Sequence, residues 1–113
     1  MADHIRITKA PGTYVVRAGG AILAESKAAL EVTEGDFPPV LYIPQEDVAM
    51  AFMEPSPTRS NCPWKGEASY YSIVTKSGSI EDAAWSYEPP NDALGRIAGH
   101  LAFYPSKVTL ERI

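Results

Sequence analysis

Prolines and glycines recur so often in this chain that no long regular helix fits between them. The 113 residues include 10 prolines and 8 glycines. Proline removes a backbone donor and glycine weakens a helix interior, so the stretches between them favour strands and turns. Short strands separated by turn signals at intervals of roughly 8 to 12 residues are typical of an all-β fold.

Alternating apolar and polar residues place the strands. The clearest case is residues 69–76, followed by a Ser77-Gly78 turn and a returning strand over residues 79–87. Further strands are predicted over residues 4–9, 13–17, 21–24, 32–33, 40–43 and 107–113. Short helices are predicted from Pro44 to Phe52 and over residues 92–100. The expected fold is mainly β and antiparallel, with one or two short helices.

Length and composition predict a single domain spanning residues 1–113, with one core. The net charge of −4 disfavours general binding to nucleic acid or to an anionic membrane. No apolar run approaches the roughly 20 residues that a membrane span needs. A single cysteine cannot form an intrachain disulfide, which fits a reducing compartment, and the N-terminal residues lack a signal-peptide pattern. We therefore expect a cytoplasmic protein.

Residues 59–71 contain most of the candidate functional side chains. Cys62 is the only cysteine, and Arg59 and Lys65 lie three residues to either side of it. If Pro63 begins a helical turn with Cys62 at its cap, the N–H groups of that turn favour a thiolate, and Cys62 becomes a nucleophile. However, a proline after the nucleophile has no N–H for an oxyanion. An inert, partly buried thiol is the alternative.

The same stretch has the composition of a ligand site. Arg59 and Lys65 flank Trp64, so cations and a ring that stacks are available to a planar or phosphorylated ligand. An ordinary surface loop would have the same composition.

The flanking strands add more aromatic residues. In a strand, Tyr70 and Tyr71 point to opposite faces, whereas Trp85 and Tyr87, two residues apart, share one face. We expect Trp85 to pack in the core and Tyr87 to reach a rim of the same aromatic surface.

Carboxylates offer a second kind of chemistry. Glu46 could act as a general base, although an acid in the first turn of a helix already has a structural reason to be there. Of the two histidines, His4 looks incidental and His100 is expected near the end of the last helix. No metal site or cofactor is predicted, because one cysteine and two distant histidines lack zinc-ligand spacing.

Several segments together resemble the family known as domain of unknown function 427. They are Tyr42-Ile43-Pro44-Gln45-Glu46-Asp47-Val48, Cys62-Pro63-Trp64-Lys65-Gly66-Glu67-Ala68, Tyr70-Tyr71-Ser72, Ala83-Ala84-Trp85-Ser86-Tyr87 and Ile97-Ala98-Gly99-His100-Leu101-Ala102-Phe103-Tyr104. The resemblance implies a small two-sheet fold of the Mss4-like or β-tent type. Many members of that group bind zinc through cysteine pairs, which this chain lacks. Some family members are labelled nucleotidyltransferase-like, but this chain has no phosphate loop.

The resemblance also implies that the polar and aromatic residues of these motifs converge. The candidate ligand-binding residues are Tyr42, Arg59, Cys62, Lys65, Tyr70, Trp85, Tyr87 and Tyr104. The leading hypothesis is a module that binds a small anionic or aromatic ligand, such as a nucleotide or acidic metabolite. One alternative is an enzyme that uses Cys62 or Glu46 on such a ligand, and another is a structural or homodimerising module. The ligand hypothesis expects Arg59→Ala and Lys65→Ala to abolish binding and leave stability nearly unchanged.

Overall fold

The computed structural model describes residues 4–87 and 92–113, and nearly all regular structure in these ranges is β. The strands are β1 (Ile5–Lys9), β2 (Tyr14–Ala18), β3 (Ala21–Ser26), β4 (Leu30–Glu34), β5 (Val40–Pro44), β6 (Met53–Cys62), β7 (Gly66–Thr75), β8 (Gly78–Tyr87), β9 (His100–Phe103) and β10 (Thr109–Arg112). Short 3-10 turns occupy Gln45–Asp47, Met50–Phe52 and Asp92–Ile97. The predicted mainly β fold is confirmed.

The strands form two antiparallel sheets. The large sheet has seven strands in the order β1-β4-β5-β9-β8-β7-β6, and the small sheet has three in the order β10-β2-β3. The hairpin predicted around Ser77-Gly78 is present, with Thr75 of β7 paired with Gly78 of β8. The two-sheet antiparallel prediction is therefore confirmed, whereas the more specific likeness to the Mss4-like group stays a prediction.

Both predicted helices are shorter than expected. After Pro44 the chain makes two separate three-residue 3-10 turns, because Val48 between them is extended and forms a β-bridge with Ala24 of the small sheet. The second predicted helix is a 3-10 turn that ends at Ile97, and Leu94 inside it has non-helical backbone angles. His100 consequently begins β9 instead of ending a helix. No helix in the described ranges has the length and apolar character needed to cross a bilayer.

Strand alternation gives the large sheet two apolar faces and the protein two cores. The first core lies between the sheets and includes Val16 and Leu23 of the small sheet and Ile43 and Ile73 of the large one. The second core lies on the other face of the large sheet. Its buried members are Ile5, Val32, Tyr42, Ala68, Tyr87, Leu94, Ile97 and Ala102.

The large sheet curves around the second core until its two sides meet. Four strand spacings separate β4 from β7, which is roughly 19 Å in a flat sheet. Yet Lys65, in the turn between β6 and β7, places its Nζ 2.5 Å from Oε1 of Glu34 at the end of β4. Beside this ion pair, the His4 and Trp64 rings meet edge-to-face at 5.0 Å. We call the Lys65–Glu34 pair the clasp, and the curved face around the second core the concave face.

Breaking the clasp should destabilise the fold, because Lys65 is largely buried, at 9 % exposure. We expect Glu34→Gln to lower the free energy of unfolding by roughly 1 to 3 kcal/mol, because it leaves the lysine charge without its ion-pair partner at a site where the glutamate is partly exposed. Urea unfolding measures this change. Glu31→Gln is the matched control, since Glu31 lies in the same strand and forms no ion pair or hydrogen bond among the described side chains.

Adding Lys65→Met to Glu34→Gln should recover part of the loss, because the uncompensated charge is then gone. Equal stability of Glu34→Gln and Glu31→Gln would show that the clasp contributes nothing.

Candidate functional site

The concave face gathers aromatic side chains from separate parts of the chain. Tyr42 comes from β5, Tyr70 from β7, Trp85 and Tyr87 from β8, and Tyr104 follows β9 directly. The strand register places Tyr87 opposite Ala68 and Trp85 opposite Ala102. On its other side Trp85 pairs with Tyr70 of β7, so the register itself brings two of the rings together. The convergence of distant motifs is therefore a consequence of strand order and register.

Direct contacts link these rings into one group. The Trp85 indole Nε1–H donates to the Tyr42 hydroxyl at 3.3 Å, and the two rings are nearly perpendicular with centroids 6.3 Å apart. The centroids of the Trp85 and Tyr104 rings lie 4.5 Å apart. The Tyr70 side chain interacts with that of Tyr104, and its hydroxyl is also hydrogen-bonded to the Ser60 hydroxyl at 2.8 Å. We call Tyr42, Tyr70, Trp85 and Tyr104 the aromatic shelf.

Tyr70 and Tyr71 point to opposite faces as predicted, since Tyr70 packs on the second core and Tyr71 on the first. The expected roles of Trp85 and Tyr87 are reversed. Tyr87 is buried, at 8 % exposure, in the same cluster as Leu94 and Ile97, and the Lys65 ammonium lies 5.9 Å from its ring centroid. Trp85 is only half-buried. The clasp closes over the Tyr87 end of β8, which the sequence does not reveal because Glu34 is remote in the chain.

Burial raises the pKa of three tyrosines on the concave face, Tyr42, Tyr87 and Tyr104. Burial raises the pKa of Tyr42 to about 12, although the hydrogen bond from Trp85 opposes the shift. Burial, followed by the interaction with Tyr70, raises the pKa of Tyr104 to about 12. Burial also holds the pKa of Tyr87 well above its usual range, and the proximity of Tyr42 adds to the shift. These three hydroxyls therefore stay protonated to a higher pH than an ordinary tyrosine, which ionises near pH 10.

Cys62 and Lys65 lie at the edge of the second core. Cys62 is the last residue of β6 and pairs with Gly66 across a turn, so it does not cap a helical turn as the sequence suggested. The Lys65 Nζ is 3.9 Å from the Cys62 Sγ. The lysine charge is shared with Glu34, whose carboxylate is much closer. Cys62 itself is half-buried.

Arg59 and Glu46 lie apart from this group. The Arg59 guanidinium donates to the carbonyls of Ser56 and Thr58 in its own strand, at 2.7 and 2.8 Å. Since β6 is at the edge of the large sheet, this arginine occupies carbonyls that another strand could otherwise pair with. Glu46 is exposed in a turn that packs on β3 of the small sheet.

Two residues near the site were not singled out from the sequence. Glu34 directly follows the strand predicted over residues 32–33, and His4 looked incidental. Yet Glu34 lies between Lys65 and the His4 imidazole, whose Nε2 is 3.8 Å from Glu34 Oε2. No local pattern could have found them, because the contact joins residues 31 positions apart. Within residues 4–87 and 92–113 no three His, Cys, Asp or Glu side chains group closely enough to hold a metal ion.

The raised pKa of Tyr42 predicts a loss of stability in alkali. Its contribution is complete below the unfolded-state pKa of about 10 and is lost as pH rises through the folded-state pKa of about 12. From pH 8 to about pH 11 the loss should be about 1 kcal/mol. Tyr42→Phe should therefore flatten the decline in unfolding free energy over this range, measured by urea titration.

The value at pH 8 serves as the internal control, because it reports the lost Trp85 hydrogen bond separately from ionisation. Parallel declines in the wild type and Tyr42→Phe would contradict the assignment.

The comparisons with known proteins agree with the motifs that the sequence analysis identified. A family model described as "Domain of unknown function (DUF427)", with the short name NTP_transf_9, matches residues 6–113. No curated protein matches the chain. Because the family model covers nearly the whole sequence, the chain belongs to the DUF427 family.

Proposed function

We propose that the protein binds a small ligand through a planar ring that stacks on the aromatic shelf. The observation that carries the proposal is Trp85, which is half-buried at an inner strand of the large sheet with Tyr42 and Tyr104 against it. Such a side chain offers a large apolar surface, and the neighbouring hydroxyls supply donors and acceptors that orient a ligand.

The contacts that the nearby cations already make narrow the class of ligand that we expect. Lys65 is paired with Glu34, and Arg59 is bound to backbone carbonyls. Lys107, which lies 5.5 Å from the Tyr104 ring centroid, donates to the carbonyls of Glu81 and Asp82. Because these cations are already engaged, ring stacking supports binding more than an anionic group does. A nucleoside or aromatic metabolite therefore fits better than an acidic metabolite without a ring.

Tryptophan fluorescence tests this proposal. The chain has 2 tryptophans, so Trp64→Phe leaves Trp85 as the sole reporter. We expect adenosine and AMP to quench Trp85 to a similar extent and ribose 5-phosphate to have no effect, since stacking needs the base. Trp85→Phe, which retains Trp64, is the control and should show no saturable change.

Quenching that is equal in the two variants, or absent for every planar compound tested, would reject the shelf as a ligand site. If no planar compound quenches the fluorescence, the mass of the protein in solution tests the homodimerising alternative. A wild type with the mass of a dimer and a Trp85→Ser variant with the single-chain mass of 12.3 kDa would favour it.

The proximity of Lys65 to Cys62 favours a second candidate, an enzyme with a thiol nucleophile. An ammonium group beside a thiol favours the reactive thiolate. On this hypothesis Cys62 should react with iodoacetamide at about pH 6 faster than a free thiol does, and Lys65→Met should slow the reaction. Mass spectrometry of the alkylated protein measures the rate. A rate no faster than that of a free thiol, or one unchanged in Lys65→Met, would remove this candidate.

A further inference from the structure

Three cations lie together near the end of the β1–β4 strand pair that is opposite the clasp. Lys9 ends β1, Lys27 follows β3 and Arg112 ends β10. Among the described residues, none of the three forms an ion pair or a hydrogen bond through its side chain. By contrast, Arg17 and Lys65 are paired with acids, and Arg59, Arg96 and Lys107 donate to backbone carbonyls. These three side chains are exposed, so they form a local positive cluster that attracts anions in a protein of net charge −4.

These cations border a cleft. A cavity of about 440 Å³ is lined by Lys9, Pro11, Gly12, Thr13 and Lys27. A second cavity of about 360 Å³ continues from it, since Thr13 and Lys27 line both. Volumes of this size suit a small metabolite. Neither cavity is lined by a residue of the aromatic shelf, so the cleft is separate from the site proposed above.

The walls of the cleft are held in place by hydrogen bonds. The buried Ser26 hydroxyl donates to Asp47 Oδ2 at 2.6 Å and accepts from the Ala28 N–H at 3.0 Å, which fixes the segment that carries Lys27. On the other wall, the Ile113 N–H donates to the Thr13 carbonyl at 2.8 Å. A fixed wall reduces the entropy lost when a ligand binds.

Gly12 brings Arg112 to the same place. Its φ of +92° lies in the left-handed region, and a Cβ there would be 2.6 Å from the Arg112 Nε. Only a glycine leaves room for the guanidinium to lie against this turn. The third cation is therefore next to the cavity that Lys9 and Lys27 line.

We propose that this cleft binds a phosphate monoester, with the phosphate beside Lys9, Lys27 and Arg112. Three positive charges balance the two negative charges of a phosphate monoester better than they balance the single charge of a carboxylate. Lysine and arginine both bind phosphate oxygens. The second cavity has Glu25 and Asp47 in its wall, so the organic part of the ester carries hydroxyl or amino groups that donate to them. Sugar phosphates and phosphorylated amino alcohols share this chemistry.

Backbone-amide NMR at constant ionic strength tests the proposal with inorganic phosphate and phosphoethanolamine as probes. Both should shift the amide signals of Gly12, Thr13, Lys27 and Ala28 in a saturable manner, and phosphoethanolamine should bind more tightly and also shift Glu25 and Asp47. Lys9→Gln and Lys27→Gln should each weaken binding by about ten-fold, the effect of one charged hydrogen bond.

Lys76→Gln is the matched control, because Lys76 is an exposed lysine without a described partner in the turn between β7 and β8, outside both cavities. It should leave both affinities unchanged. Shifts spread over all surface cations, or an equal loss of affinity in Lys76→Gln, would show unspecific ion screening and overturn the proposal. Saturable binding of phosphate with no gain for phosphoethanolamine would overturn the assigned role of Glu25 and Asp47.

Discussion

The curvature of the seven-stranded sheet is the constraint on which the candidate site depends. A flat sheet would hold Lys65 and Glu34 about 19 Å apart and expose one apolar face to water. Curving the sheet brings the two charges into contact and buries Tyr42, Tyr87 and the small residues between them. Hydrophobic burial on the concave face drives this closure, and the ion pair sets where the two sides meet, since a largely buried lysine requires a partner.

The side chains of each strand alternate between the two faces of the large sheet, so the sheet contributes to two different cores. On one face, residues such as Ile43 and Ile73 pack against the small sheet and form an ordinary aliphatic core. On the other face, the adjacent Tyr42 and the nearby Tyr70 belong to a core rich in aromatic rings and hydroxyls. Rings with polar tips tolerate partial exposure better than aliphatic side chains do, so this second core extends into a surface that a ligand can reach. The first core stabilises the sheet, and the second extends into the surface where we propose that a ligand binds.

A cluster of three cations lies away from this aromatic surface. Lys65 is neutralised by Glu34, and the Arg59 guanidinium binds two carbonyls of an edge strand. Within the described part of the chain, Lys9, Lys27 and Arg112, near the ends of β1, β3 and β10, form no ion pair. The protein thus separates a face suited to stacking from a cleft suited to an anion. Sequence proximity had suggested one site for both, because Arg59 and Lys65 flank Trp64.

The sequence by itself determined the fold class, most strands and the facing of individual rings. Proline and glycine spacing excluded long helices, and the two-residue period placed Tyr70 opposite Tyr71 and Trp85 beside Tyr87, because both signals act through the local backbone. Only the tertiary structure decided which motif residues have free functional groups. Burial of Tyr87, the engagement of Lys65 and the isolation of Arg59 depend on how far the sheet curves. That curvature results from contacts between residues distant in the chain, which no local pattern encodes.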